Sequence, residues 1–201
     1  MKPSCVVKVG GSLLDLPDLP ARLENFLADF SRPCPVVLVG GGDVVEQIRK
    51  WDRAYALGEE ASHWIALQAL TITAMVLERA APILERVESR HDLPRVWGRK
   101  KIPLYDAHRF IRDVDGHSRE PLPRRWRVTS DSIAARMASE LGAPEVILLK
   151  SVSLEDGLSM EEAARRGFVD PHFPAAAQGL ARVVVVNFRE EPLREQALSA
   201  T

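Results

Sequence analysis

Two short β-branched runs, each ending in a cluster of glycines, constrain this chain more than any other feature. Cys5–Val9 runs into Gly10-Gly11-Ser12, and Val36–Val39 runs into Gly40-Gly41-Gly42. Continuous apolar runs of this kind are strands buried on both faces, and strands separated by helix-length segments form parallel sheets covered on both sides. Val146–Leu149 and Ala181–Asn187 extend the pattern to four strands. In such sheets ligands bind beyond the carboxyl ends of the strands, where both glycine clusters fall.

The intervening segments have helical spacing. Leu23, Phe26, Leu27 and Phe30 recur on one face of Leu19–Phe30. Asp43 is expected to N-cap a helix with Val44, Val45, Ile48 and Trp51 on one face. Glu59–Val87 reads as one long helix or two joined near Pro82, with Arg95–Trp97 and Ile102–Tyr105 as short strands. Asp113–Arg127 is rich in charge, Pro and Gly, and reads as an exposed loop. Ser130–Leu141 is helical, with a stripe of Ile133, Ala134, Met137, Ala138 and Leu141 and a C-cap at Gly142.

With 201 residues the chain suits a single domain spanning residues 1–201. A net charge of −1 provides no field to recruit nucleic acid or a membrane surface. Apolar runs such as Val183–Val186 fall far short of the roughly 20 residues of a membrane span, and the N-terminus lacks a signal peptide's long apolar region. The expected compartment is the cytoplasm. Cys5 and Cys34 match no metal or redox spacing and are expected to be inert buried thiols.

A glycine turn that opens a helix points free N–H groups at an anion. One such turn has a purely steric explanation; two turns after neighbouring strands can face a polyphosphate from both sides. Neither fits GxxxxGK[ST] or a dinucleotide fingerprint, since Val45 stands where the latter needs a small residue. Lys8 lies inside an apolar strand, either snorkelling from its edge or holding a charge beside phosphate oxygens. Its place just before Gly10-Gly11 favours the second.

The motifs Lys8-Val9-Gly10-Gly11-Ser12, Val37-Leu38-Val39-Gly40-Gly41-Gly42, Thr129-Ser130-Asp131-Ser132 and Ile147-Leu148-Leu149-Lys150-Ser151-Val152, in this order, resemble the amino-acid kinase superfamily of acetylglutamate, aspartate, uridylate and carbamate kinases. Ala61-Ser62-His63-Trp64-Ile65-Ala66 and Trp126–Ala134 resemble its small subgroup that phosphorylates 5-(aminomethyl)-3-furanmethanol phosphate in methanofuran biosynthesis. The resemblance implies a three-layer αβα sandwich with a mostly parallel central sheet, carbamate kinase-like, and an ATP-dependent kinase acting on a small molecule. It implies Mg²⁺ bound through ATP rather than by a dedicated protein site, and a homo-oligomer.

It further assigns Lys8, Asp131 and Lys150 to catalysis, with Asp131 orienting the lysines. Gly10, Gly11, Ser12, Ser151, Asp156, Gly157 and Leu158 fall to the nucleotide, and Gly40, Gly41, Gly42, His63 and Ser130 to the acceptor. Asp131 at a helix start has a simpler reading as a residue favouring the macrodipole. Asp52 and Arg53 offer contacts to an amine or a phosphate, though a solvated face is the commoner outcome. Most of the arginines at 109, 112, 119, 124, 125 and 127 are expected to be solvent-facing loop charges, and spacing does not choose which of them reaches a phosphate. The chain departs from many relatives in lacking a GGMxxK segment and in being shorter by about one helix–strand unit. That leaves the adenine pocket incomplete or completed by a partner.

Overall fold

The structure is a computed structural model, and it describes residues 2–28 and 31–200. The buried runs form strands at the expected places: β1 Cys5–Val9, β2 Val36–Val39, β4 Ile102–Tyr105, β5 Glu145–Lys150 and β6 Arg182–Asn187. Two further strands, β3 Leu84–Val87 and β7 Glu195–Leu198, occupy the sheet edges. The sheet has seven strands in the order β3-β4-β2-β1-β5-β6-β7. All pairings are parallel except that of β6 with β7. β1 is central, with β2 on one side and β5 on the other, and this is where the strand order reverses.

The helices are α1 Leu19–Ala28, α2 Gly42–Tyr55, α3 Glu59–Ala80, α4 Leu93–Gly98, α5 Ala107–Asp113, α6 Ser130–Leu141, α7 Met160–Arg165 and α8 Phe173–Ala176. Period-two alternation along the strands separates two cores. Val6, Leu38, Val146 and Leu148 face one core with α4, α5, α6, α7 and α8. Cys5, Val7, Val9, Ile147 and Leu149 face the other with α1. α3 contributes Leu67 and Leu70 to the first and Ala74 and Leu77 to the second. The result is the expected three-layer sandwich. Alternation also decides the site: Lys8 shares the face of Val6, and Lys150 that of Leu148, so both ammoniums lie on the face covered by α6.

Several local expectations are corrected. Glu59–Val87 is neither one helix nor two. α3 stops at Ala80, Ala81 is extended, and Leu84–Val87 pairs with β4. As an edge strand it carries the ion-paired Glu85 and Arg86, which hid its β character. Arg95–Trp97 lies in α4, where Leu93 and Val96 are buried and Trp97 donates from Nε1 to the Pro35 carbonyl at 3.1 Å. Gly41, not Asp43, caps α2, and Asp43 sits in its first turn.

Of the stripe on α2 only Ile48 is buried, while Val44 and Trp51 are 40% and 48% exposed. The reason is that α2 packs against α3. The 113–127 segment is not all exposed loop, because Asp115 and Leu122 are buried, with Asp115 accepting from the Leu122 N–H at 2.9 Å. Cys5 is buried, and burial pushes its thiol up to about 12. Cys34 is only half-buried, at a left-handed φ of 54° in the tight turn before β2. Phe30 lies outside the described residues. α6 forms as expected, with Thr129 as N-cap and Gly142 left-handed at φ 71°. Among the described residues, no helix is long and apolar enough to cross a membrane.

Candidate functional site

The glycine turns that follow β1 and β2 are in backbone contact. A Cβ added at Gly11 would lie 2.2 Å from the Gly42 nitrogen, so neither turn tolerates a side chain there without separating from the other. Gly42 holds a φ of +53°, a conformation that favours glycine. Strand hydrogen bonds fix both turns, from the Gly10 N–H to the Leu149 carbonyl and from the Gly40 N–H to the Val9 carbonyl, each at 2.9 Å. The Thr73 hydroxyl ties the Gly40 carbonyl to α3 at 3.0 Å. α2 thus begins at the contact between the turns, with the positive end of its dipole there.

Beneath the turns, one carboxylate serves two ammoniums. Asp131 Oδ1 lies 2.9 Å from Lys8 Nζ, and Oδ2 accepts from Lys150 Nζ at 2.6 Å. All three side chains are at most 14% exposed. The geometry follows from the fold: adjacent strands β1 and β5 present the lysines, and the first turn of α6 lowers the carboxylate between them. Burial acts to raise the Asp131 carboxyl, but the charges of Lys150 and Lys8 outweigh it and hold the group down at about 2. Burial depresses the Lys8 ammonium below the usual lysine range; Asp131 opposes that shift and Lys150 adds to it. One negative charge against two positive ones leaves a buried net positive charge suited to a phosphoryl group.

A cavity of about 310 Å³ opens on this cluster. Lys8, Lys150, Gly10, Gly11, Ser12, Gly41 and Gly42 line its polar end, with Ser130 from α6. Leu67 and Leu70 of α3, Val45 of α2 and Ile133 of α6 form apolar walls. His63 is buried and lines the cavity, and burial holds its imidazole below the usual histidine range. Gly40 sits behind the second turn, where an added Cβ would meet Ser130 Oγ at 2.9 Å. The Ser151 hydroxyl lies 3.0 Å from the Ser12 hydroxyl, across the end of β5.

Asp156, Gly157 and Leu158 are not among the residues lining this cavity. Asp156 pairs with Arg194 at 2.7 Å, Gly157 turns at φ 76°, and Leu158 is buried. Among the described residues, no group of three or more His, Cys, Asp or Glu is arranged to hold a metal ion.

Sequence reasoning missed four contributors. Arg49 is the arginine that reaches the cavity, whereas those at 109, 112, 124 and 125 pair with Glu88, Asp113, Glu60 and Glu59. Its guanidinium stacks 4.8 Å over Trp126, a second missed wall residue. Trp126 Nε1 donates to Asp52 at 2.6 Å, and that bond holds the Asp52 carboxyl below its usual range. Glu46, one turn before Arg49 and 3.5 Å from it, also lines the cavity. The fourth is Asp170, buried behind the start of α6. Arg49 and Glu46 lie one helical turn apart on the α2 sequence, which was the available signal. Asp170 had none.

Comparisons with known proteins bear on the family and the fold. The model of the amino acid kinase family matches residues 3–154. The [5-(aminomethyl)furan-3-yl]methyl phosphate kinase of Methanocaldococcus jannaschii is 27% identical over 150 residues, covering 73% of this chain and 65% of that protein. UMP kinase from Ureaplasma parvum has a similar structure, with a TM-score of 0.68 at 14% identity over 99% of this chain and 100% of that one. Uridylate kinase from Archaeoglobus fulgidus superposes with a TM-score of 0.62 at 18% identity, covering 92% and 90%.

Proposed function

The chain belongs to the amino acid kinase family, and from that premise we propose that it is an ATP-dependent phosphotransferase whose acceptor is a small phosphate-bearing molecule. The observation that carries the reading is the Asp131 carboxylate between Lys8 and Lys150, beneath two touching glycine turns and open to one cavity. Phosphoryl transfer asks little covalent chemistry of a protein and depends on positioning and charge.

The acceptor oxygen attacks the γ-phosphorus of ATP in line; the new P–O bond forms as the β–γ bridging bond breaks, and ADP leaves with that electron pair. Lys8 and the amides of Gly11, Gly41 and Gly42 stabilise the equatorial oxygens; the Gly10 N–H is already committed to the Leu149 carbonyl and shapes the turn instead. Lys150 balances charge near the bridging oxygen, and Asp131 keeps both ammoniums in place. An acceptor phosphate is already ionised, so no general base is needed. The nucleotide's phosphates would carry Mg²⁺, which would supply charge neutralisation there.

The acceptor's body lies between Leu67, Leu70, Val45 and Ile133, with His63 and Ser130 supplying hydrogen bonds. The relative from Methanocaldococcus jannaschii supports an aminomethylfuran phosphate as the acceptor. The nucleotide extends from Ser12 towards Ser151, with Asp156–Leu158 beyond. We place the protein in the cytoplasm as a homo-oligomer; Ile72, Met75 and Val76, each more than half exposed along α3, support association with a second copy.

The test is ADP release with a panel of phosphorylated and carboxylated acceptors, [5-(aminomethyl)furan-3-yl]methyl phosphate among them, beside Lys8→Met. Turnover on a phosphorylated acceptor that Lys8→Met lowers about 10²–10³-fold is the expected result. Nucleotide binding with no turnover on any acceptor overturns the reading in favour of a non-catalytic nucleotide-binding module.

A further inference from the structure

Asp170 lies in the segment between α7 and α8 and is 6% exposed. Its carboxylate accepts five hydrogen bonds. Oδ2 takes the Thr129 N–H at 3.0 Å, the Thr129 hydroxyl at 2.8 Å and the Ser132 N–H at 3.0 Å. Oδ1 takes the Ser132 hydroxyl at 2.5 Å and the His172 N–H at 3.0 Å. Three of these partners are backbone N–H groups, which only donate, and they are divided over both oxygens. An amide in place of the carboxylate would turn an NH₂ towards at least one of them whichever way it faced.

Four of the five bonds go to Thr129 and Ser132, the residues that bracket Ser130 and Asp131. Thr129 is the N-cap of α6, and its side chain already engages the Asp131 N–H, at 3.5 Å. Capping an N-terminus needs one acceptor. Here a second, buried acidic group from a different part of the chain grips the backbone on both sides of the residue that holds the two lysines.

We infer that Asp170 is a positioning residue for phosphoryl transfer, clamping the start of α6 so that Asp131 reaches Lys8 and Lys150 at once. Asp170 touches no reacting atom in this role; it acts through Asp131. The reaction itself rests on the phosphotransferase reading, but the clamp has a consequence independent of turnover. The charged groups around Lys8 are Asp131 on α6, Lys150 on β5 and Asp170 itself. If the clamp is released and Asp131 withdraws, Lys8 keeps its burial and its like-charged neighbour but loses its counter-charge.

The experiment is an NMR titration of the full chain with labelled lysine, the Lys8 signal assigned by its loss in Lys8→Met. In Ser132→Ala, which removes one bond of the clamp and keeps the Asp170 charge that itself raises Lys8, Lys8 is expected to titrate at lower pH than in the parent. An unchanged Lys8 titration overturns the inference. Asp170→Asn should lower it further, and a shift in Asp170→Asn with none in Ser132→Ala is the direct loss of the Asp170 charge and also overturns the clamp. Where the parent turns over, Asp170→Asn should lose kcat on the order of a hundredfold, the scale expected for a catalytic group displaced by about 1 Å, with little change in KM. A kcat equal to the parent's also overturns the inference. A parent without turnover sinks the kinase reading and leaves the titration to judge the clamp.

Discussion

Replacing Asp131 by Asn removes the carboxylate that bridges Lys8 and Lys150, at 2.9 and 2.6 Å, and leaves the volume almost unchanged. The ammoniums then remain on one face of the sheet, 6% and 14% exposed, without a counter-charge. Breaking a buried ion pair from one side costs about 3–5 kcal/mol, because a charge is left desolvated and unpaired. A second scale agrees in order: a carboxyl held at about 2 instead of 3.8 corresponds to about 2 kcal/mol of charge stabilisation. For a chain of this size a loss of 3–5 kcal/mol lowers Tm by about 6–20 °C.

Urea unfolding of the parent, Asp131→Asn, Lys8→Met and the double variant measures the effect. In the Lys8→Met background, Asp131→Asn strands only the Lys150 ammonium, the more exposed of the two, so the loss should shrink by about 1 kcal/mol or more. An equal loss in both backgrounds, or Asp131→Asn within about 0.5 kcal/mol of the parent, would refute the reasoning.

Lys8→Met alone should change stability by less than about 1 kcal/mol, since Asp131 keeps Lys150 as its counter-charge at 2.6 Å and an apolar side chain replaces a costly buried charge. In the same variant turnover should fall about 10²–10³-fold through lost transition-state charge, and parallel unfolding and kinetic assays will separate the two. Gly11→Ala places a methyl 2.2 Å from the Gly42 nitrogen and should cost about 1–3 kcal/mol through overpacking, with weakened nucleotide binding in calorimetry. Two pH effects follow from linkage. The depressed Asp131 carboxyl contributes stability that is complete above its unfolded value and is lost as pH falls from 3.8 towards about 2. Acid denaturation of Asp131→Asn should lack that component. The depressed Lys8 ammonium binds its proton more weakly folded than unfolded, so its contribution to stability rises with pH up to 10.5. A phosphate anion prefers Lys8 charged, so its affinity should fall as pH rises through the depressed value, as a calorimetric series would register.

Legibility in the sequence follows the uniformity of the local signal. β1, β2, β5 and β6 are readable because each lies inside the sheet and is apolar on both faces, and α6 because its cap, stripe and terminal glycine agree. β3 and β7 lie at the edges, where one side is solvated and charged residues such as Glu85, Arg86 and Glu195 are tolerated. Their sequences therefore resemble helix or loop. Trp97 suggests a strand by its aromatic character, though Pro94 in the first turn of α4 is the better guide. Arg49 escapes a reading that gives α2 an inward apolar face, whereas the turn-spaced residues of that helix line a cavity.

By itself the sequence determined that strands end in glycine turns, that Lys8 stands in an apolar run, and that Asp131 opens a helix. Those are local facts, set by side-chain branching, backbone freedom and spacing along the chain. Only the tertiary structure decided that the two turns touch, that Lys8 and Lys150 share a sheet face, and that Asp131 falls between them. Strand order and register are long-range choices made by packing whole elements, and charges far apart in sequence become partners only when that packing removes the water between them.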